Sequence, residues 1–154
     1  MPDARDMVSL LWGRSLRSRT GILLLEPHDL SRTREIAVRL GARYVDYAAV
    51  VLESLPEGTS FVPLSADAEW RRLDTVDASA GGWGVALVAN FDLALARLQP
   101  PERDHLWATI RDGMPHRTLA FIFAMPAGAV RLLPPEQQLA EWRNAGRLAS
   151  LTEF

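Results

Sequence analysis

Short apolar runs alternate along the chain with segments in which apolar residues recur at helical spacing. Gly21–Leu25 and Val85–Ala89 are continuously apolar, as expected for strands buried on both faces of a sheet. Arg43–Tyr47 is short and rich in β-forming residues, Arg117–Ala124 predicts a fourth strand, and Arg147–Leu151 predicts a short last one. The pattern therefore predicts strands that are spread over most of the chain.

Amphipathic helices are predicted between these strands. Predicted helices cover residues 4–18, 30–40, 48–55, 65–76, 91–98, 102–111 and 136–144. Gly41 marks a helix stop, and Asp46 can cap the helix that follows it. Because strands and helices alternate, we expect residues 1–154 to form one α/β domain. This domain has three layers, a mainly parallel sheet with helices on both faces.

Composition and charge exclude several classes of protein. The chain has no cysteine, which excludes disulfides, thiolate zinc sites and a cysteine nucleophile. Its net charge of −2 does not favour a domain that binds nucleic acid through its overall field. Arg14, Arg17 and Arg19 form a local cluster that could still contact DNA phosphates, and the alternative is a solvated helix face.

The sequence gives no sign of a membrane segment. No apolar stretch approaches the ~20 residues that a membrane-spanning helix needs. The apolar run near the N-terminus follows acidic residues and is soon interrupted by Gly13 and Arg14, so it is too short for a signal sequence. We therefore expect a cytoplasmic protein.

The segment that follows the first strand has the length of a phosphate-binding loop. Its eight residues, EPHDLSRT, cover the pattern GxxxxGK[ST], but only Thr33 matches outright. Glu26 and Ser31 replace the two glycines, whose absent side chains let backbone N–H groups converge on a phosphate. Arg32 replaces the lysine, a residue type that the whole chain lacks. We therefore expect obstructed phosphate binding.

An ordinary connection between a strand and a helix is the alternative for this loop. Asp29 or Ser31 would then be the helix N-cap, and Glu35 would lie near the positive end of the helix dipole. This alternative needs no ligand.

A second motif of phosphate-transferring enzymes is also altered. Such enzymes need an acidic residue at the end of another central strand, to hold magnesium and position water. The third predicted strand ends at Ala89, and Asn90 and Asp92 follow, either as polar site residues or as caps of the next helix. His28 and Asp29 could form a metal or acid/base cluster with Asp92 if their strands are adjacent.

Some large apolar residues are candidates for contact with a partner protein. Trp83 lies between glycines in the predicted turn GGWG, where there is little core to join. The predicted loop Met125–Pro135 is also unusually apolar, and its residues Met125, Leu132 and Leu133 could lie against another protein.

The order of these motifs resembles the BrxF family, the small P-loop proteins of BREX bacteriophage-exclusion systems. The chain has GILLLEPHDLSRT, GARYVDY, VALVANFDLAL and HRTLAFIFAMPAG in that order, over residues 5–130. The resemblance implies a P-loop NTPase-like fold with a RecA/AAA-type core. It places Ser31, Arg32 and Thr33 at vestigial phosphate-contacting positions, and it implies an accessory role in antiphage defence.

These observations lead to three hypotheses. The first is a non-catalytic interaction protein that binds protein partners in a defence or DNA-processing complex and could also form a homo-oligomer. Under this hypothesis we expect no catalytic residue, metal or resident cofactor. The second is an atypical nucleotide-binding ATPase that binds ATP and magnesium weakly through Arg32, Thr33 and Asp92. The third is a DNA-binding regulator that uses the arginine cluster.

Overall fold

One parallel sheet organises the protein. The computed structural model describes residues 3–13, 18–55, 57–58, 65–79, 81–113 and 119–151. Within these residues the strands are β1 (Thr20–Leu25), β2 (Arg43–Asp46), β3 (Val85–Ala89), β4 (Ala120–Pro126) and β5 (Leu148–Ser150). They lie in the order β2-β3-β4-β1-β5, and each neighbouring pair is parallel.

Helices cover both faces of this sheet. Their bounds are α1 (Ala4–Trp12), α2 (Pro27–Leu30), α3 (Thr33–Leu40), α4 (Tyr47–Ser54), α5 (Ala66–Ala78), α6 (Phe91–Leu95), α7 (Pro100–Asp112) and α8 (Glu136–Asn144). Helices α1 and α3 pack with Leu23 and Leu25 on one face, whereas α4 to α8 pack with Ile22 and Phe123 on the other. The alternation of side chains along β1 supplies both cores, and the predicted three-layer α/β fold is confirmed.

The connections between strands create one crevice in the sheet. From β1 the chain crosses the face that carries α3 and reaches β2 at the far edge. From β4 it crosses the opposite face through α8 and passes over β1 to β5. Ligands of such sheets bind where adjacent strands send their connections in opposite directions, at the carboxyl ends. Here that place lies between β1 and β4.

Several element boundaries differ from the sequence prediction. Residues 117–118, predicted to begin the fourth strand, lie outside the described residues, and β4 continues beyond Ala124 to Pro126. Proline can end a strand without losing a ladder bond that the sheet needs. Pro100 and Pro101 begin α7, because a proline in the first helical turn lacks only an N–H that would have no helical partner. The first helix is described only as far as Trp12.

A buried charged pair within α5 is hydrogen-bonded to two residues of α4. Arg72 Nη1 lies 2.5 Å from Glu69 Oε1, and the two side chains are 7% and 3% exposed. Arg72 Nε donates to Ser54 Oγ at 2.9 Å, and the hydroxyl of Tyr47 donates to Glu69 Oε2. Burial, followed by the charge of Glu69, raises the pKa of Tyr47 well above its usual value. Tyr47 therefore stays a neutral donor to this pair.

Candidate functional site

The loop at the carboxyl end of β1 is folded onto itself. Residues 27–30 form the single helical turn α2, and α3 begins at Thr33. The N–H of Asp29 donates to Glu26 O at 2.9 Å, and the N–H of Arg32 donates to Asp29 O at 2.9 Å. A phosphate cradle needs several N–H groups that point inward without other partners. These two amides are already bonded within the loop.

Arg32, at the position of the P-loop lysine, is already paired with carboxylates of the protein. Arg32 Nη1 lies 3.4 Å from Asp29 Oδ1, and Arg32 Nε lies 3.3 Å from Glu35 Oε2. Glu35 also contacts Arg39, at 3.2 Å. The hydrogen bond from Arg32 is the main cause that lowers the pKa of Glu35, and this carboxylate is therefore charged at neutral pH. A phosphate would have to compete with these carboxylates for the Arg32 guanidinium.

The three residues at the phosphate-contacting positions differ in their exposure. Ser31 and Arg32 reach solvent, whereas Thr33 is buried at the start of α3. Asp29 is also buried, and its second carboxylate oxygen lies 3.4 Å from His28 Nε2. The loop thus buries a carboxylate of the protein, whose charge would repel a phosphate bound nearby.

The predicted N-cap of α3 is wrong. Arg32 holds the cap position and makes no side-chain capping bond there. Asp29 lies inside α2, and Ser31 lies at the end of α2, so neither is placed to cap α3. The predicted position of Glu35 in the first turn of α3 is confirmed.

The second altered motif links two strand ends. Asn90 Nδ2 donates to Asp46 Oδ1 at 2.8 Å, and the same carboxylate oxygen accepts the Ala48 N–H at 3.0 Å. The predicted cap by Asp46 is therefore confirmed. Asn90 occupies the N-cap position of α6, as predicted, with a left-handed backbone of φ 65°. Its side chain makes no capping bond there. Asp92 lies half-buried in the first turn of α6.

Sequence reasoning missed the contact between Asn90 and Asp46. The sequence pattern indicates only that Asp46 can cap α4, but Asp46 is also the last residue of β2. The available signal was positional, since both residues stand at the carboxyl ends of strands, where side chains converge in a parallel sheet.

The structure assembles no metal site in the residues it describes. No group of three or more histidine, cysteine, aspartate or glutamate side chains there lies close enough to hold an ion. The predicted cluster of His28, Asp29 and Asp92 is therefore not formed. Asp29 contacts His28 and Arg32 instead.

The four residues predicted to contact a partner protein differ in how far they are buried. Trp83 is 46% exposed, and Leu132 is partly buried against the core. Met125 lies within β4 and is fully buried, and Leu133 is buried as well, so the prediction that these two contact a partner is wrong. Both fill the core that the chain forms beneath α7 and α8.

The predicted DNA-contacting cluster loses one member. Arg19 is buried at 8% exposure, and its Nε donates to Leu11 O at 2.8 Å, near the end of α1. A side chain held in this way is not available to a phosphate, so its predicted role is wrong. Arg14 and Arg17 lie outside the described residues.

Two cavities lie away from the β1 loop, among helices on one face. The larger, of about 480 Å³, lies between α4 and α5 and is lined by polar residues that include Arg71 and Arg72. The smaller, of about 200 Å³, lies between α5 and α7 beside Trp70 and His105. Neither is lined by a residue of the loop.

Comparison with known proteins adds no family assignment. No family model, curated protein or solved structure matches this chain. The described part of the chain also has no helix with the length and apolar character needed to cross a membrane.

Proposed function

We propose that this chain is a non-catalytic interaction protein built on a P-loop-like α/β fold. The observation that carries the proposal is the closed conformation of the Glu26–Thr33 loop. Its strand–loop–helix layout is that of a phosphate site, but amides of the loop bond to its own carbonyls. Its arginine is held by Asp29 and Glu35.

Opening this loop for a triphosphate has an energetic cost. Each backbone hydrogen bond contributes roughly 1 kcal/mol net, so losing those of Asp29 and Arg32 costs about 2 kcal/mol. This alone weakens binding on the order of thirtyfold. The carboxylates of Glu26 and Asp29 add repulsion toward the polyanion. The exposed ion pairs of Arg32 contribute little beyond this.

The residues near the loop also provide no arrangement for hydrolysis. Ala89 occupies the end of β3, where P-loop enzymes place the acid that holds magnesium. The polar residues that follow β3 are Asn90, bonded to Asp46, and Asp92, which lies in α6. This arrangement disfavours the atypical ATPase as an alternative function.

The proposed biological role is an accessory subunit in an antiphage-defence or DNA-processing complex of the bacterial cytoplasm. Its support is the resemblance of the motif order to BrxF proteins, and the partner would be another protein of that complex. Exposed large apolar residues that such a partner could cover include Trp83 and Leu93. Reciprocal affinity purification from the native host, with a Trp83→Ser or Leu93→Ser chain as comparison, tests this role.

Titration with magnesium–ATP tests the non-catalytic assignment. Calorimetry is expected to show no binding at micromolar nucleotide, and phosphate release is expected to equal that of buffer. Micromolar affinity with turnover that Arg32→Ala abolishes would establish the ATPase instead. Arg103→Ala, on α7 away from the loop, is the matched control for loss of an arginine.

A further inference from the structure

The carboxyl edge of the sheet carries exposed aliphatic side chains where a ligand would normally bind. Leu30, Leu93 and Val130 are 37%, 54% and 72% exposed. Each follows the end of a different strand, namely β1, β3 and β4, within five residues. Because neighbouring parallel strands end at the same edge, we infer that these side chains belong to one surface. Exposed aliphatic residues gathered in this way are typical of an interaction site.

Carboxylates flank this apolar centre. Glu26 follows β1, Asp46 ends β2, and Asp92 follows β3. No basic side chain of the described residues forms a salt bridge with any of the three, and Asp46 accepts only the neutral donors Asn90 and Ala48 N–H. Arg131, beside Val130, and Arg32, which is paired with Asp29 and Glu35, are basic residues of the same edge. Negative charge remains in excess because these two arginines are outnumbered by the carboxylates of the edge. We call Glu26, Leu30, Asp46, Asp92, Leu93 and Val130 the carboxyl-edge surface.

The strand order sets the dimensions of this surface. Strands β2 and β1 are separated by β3 and β4, and adjacent strands lie about 4.8 Å apart, so Asp46 and Glu26 stand roughly 14 Å from each other. The aliphatic residues follow strands that lie between these two positions or beside them. An extended peptide rises about 3.3 Å per residue and covers that distance in roughly five residues.

Resting on the proposed function, we propose that the carboxyl-edge surface binds an extended protein segment in which aliphatic residues lie between two basic residues. The aliphatic residues pack on Leu30, Leu93 and Val130. One basic residue pairs with Glu26, and the other pairs with Asp46 and Asp92, which follow the adjacent strands β2 and β3. Nucleic acid is excluded as the occupant because the flanking charges would repel its phosphates. Charge complementarity thus selects one class of partner.

Selection from a phage-displayed library of random peptides tests this proposal. The full chain is the bait, and Leu93→Asp is the counter-selection protein. We expect enriched peptides with aliphatic residues flanked by arginine or lysine. One such peptide, fluorescently labelled, should bind Leu93→Asp at least about tenfold more weakly than the unmodified chain. Asp92→Arg should weaken it similarly and should shift selection away from basic peptides.

Matched variants separate this surface from general effects. Val38→Asp changes an aliphatic residue on α3 that is more exposed than Leu93, and Asp104→Arg reverses an exposed charge on α7. Both should bind the peptide as the unmodified chain does, and urea unfolding should show that all variants are folded. Selection without basic bias, no enrichment, or equal binding to Leu93→Asp would overturn the proposal.

Two further results distinguish this proposal from its premise. If light scattering shows that the chain self-associates and that Leu93→Asp makes it monomeric, the occupant is a second copy and the proposed partner is wrong. If peptides bind through Trp83, the chain is still an interaction protein, but the proposal that the carboxyl-edge surface binds the partner is wrong. Micromolar binding of magnesium–ATP would overturn the proposed function itself.

Discussion

The side-chain amide of Asn90 donates a 2.8 Å hydrogen bond to the carboxylate of Asp46 and ties the carboxyl end of β3 to that of β2. The same carboxylate caps α4 through the Ala48 N–H. Two neutral donors therefore occupy only one oxygen of this carboxylate, Oδ1, and its negative charge is left without a basic partner among the described residues. The contact stabilises the fold at a position where a P-loop enzyme would place catalytic groups.

Replacement of Asn90 separates its hydrogen bond from its backbone conformation. We expect Asn90→Ala to destabilise the protein by about 1–3 kcal/mol, because alanine tolerates a φ of 65° poorly and the bond to Asp46 is lost. Asn90→Gly loses the same bond without the backbone strain, so it should cost less. Urea unfolding with an unchanged denaturant slope measures both. Equal losses would show that the left-handed backbone contributes nothing.

Breaking the buried Glu69–Arg72 pair of α5 should have a large effect. Arg72→Met leaves the carboxylate of Glu69 buried without its cation, and we expect a loss of about 3–5 kcal/mol. A second substitution, Glu69→Met, should restore much of that stability because the orphaned charge is removed. Arg143→Met, at an exposed pair with Glu136, is the control and should change little. Chemical unfolding of the unmodified chain, Arg72→Met, Glu69→Met, the double variant and Arg143→Met provides the comparison. If the losses of the two single variants add in the double variant, the coupling is contradicted.

The neutral state of Tyr47 predicts how stability depends on alkaline pH. Burial and Glu69 raise its pKa in the folded protein, while the unfolded chain ionises near pH 10. Above that pH the folded state holds more protons than the unfolded one, so this contribution to stability is lost as pH rises. Relative to Tyr47→Phe, the unmodified chain should lose up to about 1.4 kcal/mol per pH unit above pH 10. Below pH 9 the difference in unfolding free energy between the unmodified chain and Tyr47→Phe should not change with pH. If that difference also stays constant above pH 10, the prediction is contradicted.

Introducing the residues of the phosphate-loop pattern should allow the loop to bind nucleotide. The combined substitutions Glu26→Gly, Ser31→Gly and Arg32→Lys recreate the pattern GxxxxGKT. They remove two obstructing side chains and the arginine that holds Asp29 and Glu35. We expect the triple variant to bind magnesium–ATP detectably by calorimetry, whereas the unmodified chain does not. Arg32→Lys alone should not suffice, and no gain in the triple variant would mean that other residues close the site.

The sheet was predictable because its strands are encoded locally. Short continuous apolar runs such as Val85–Ala89, which follows a glycine and is rich in valine, favour strands buried on both faces. Boundaries were less predictable where one signal has two meanings. Pro126 looks like the start of a loop, yet it ends β4, and Met125 beside it is therefore core. Pro100 similarly begins α7, although the sequence pattern predicts that this helix starts only at residue 102.

The state of the candidate site was only partly predictable. The sequence showed that Arg32 stands where a lysine belongs, but its pairing with Asp29 depends on the helical turn α2 between them. The burial of Arg19 had no local signal either, because its partner is the carbonyl of Leu11 in another element. Contacts that depend on the packing of separate elements are set by the whole fold, not by the spacing of residues in one segment.

The amide signals of the Glu26–Thr33 loop test the central claim most directly. In ¹⁵N-resolved NMR spectra, the amides of Asp29 and Arg32 should retain their chemical shifts during a titration with magnesium–ATP to millimolar concentration, since both already donate within the loop. Inorganic phosphate should likewise leave them unchanged. Saturable shifts confined to this loop, with an affinity in the micromolar range, would show that the cradle opens for nucleotide and would contradict the account.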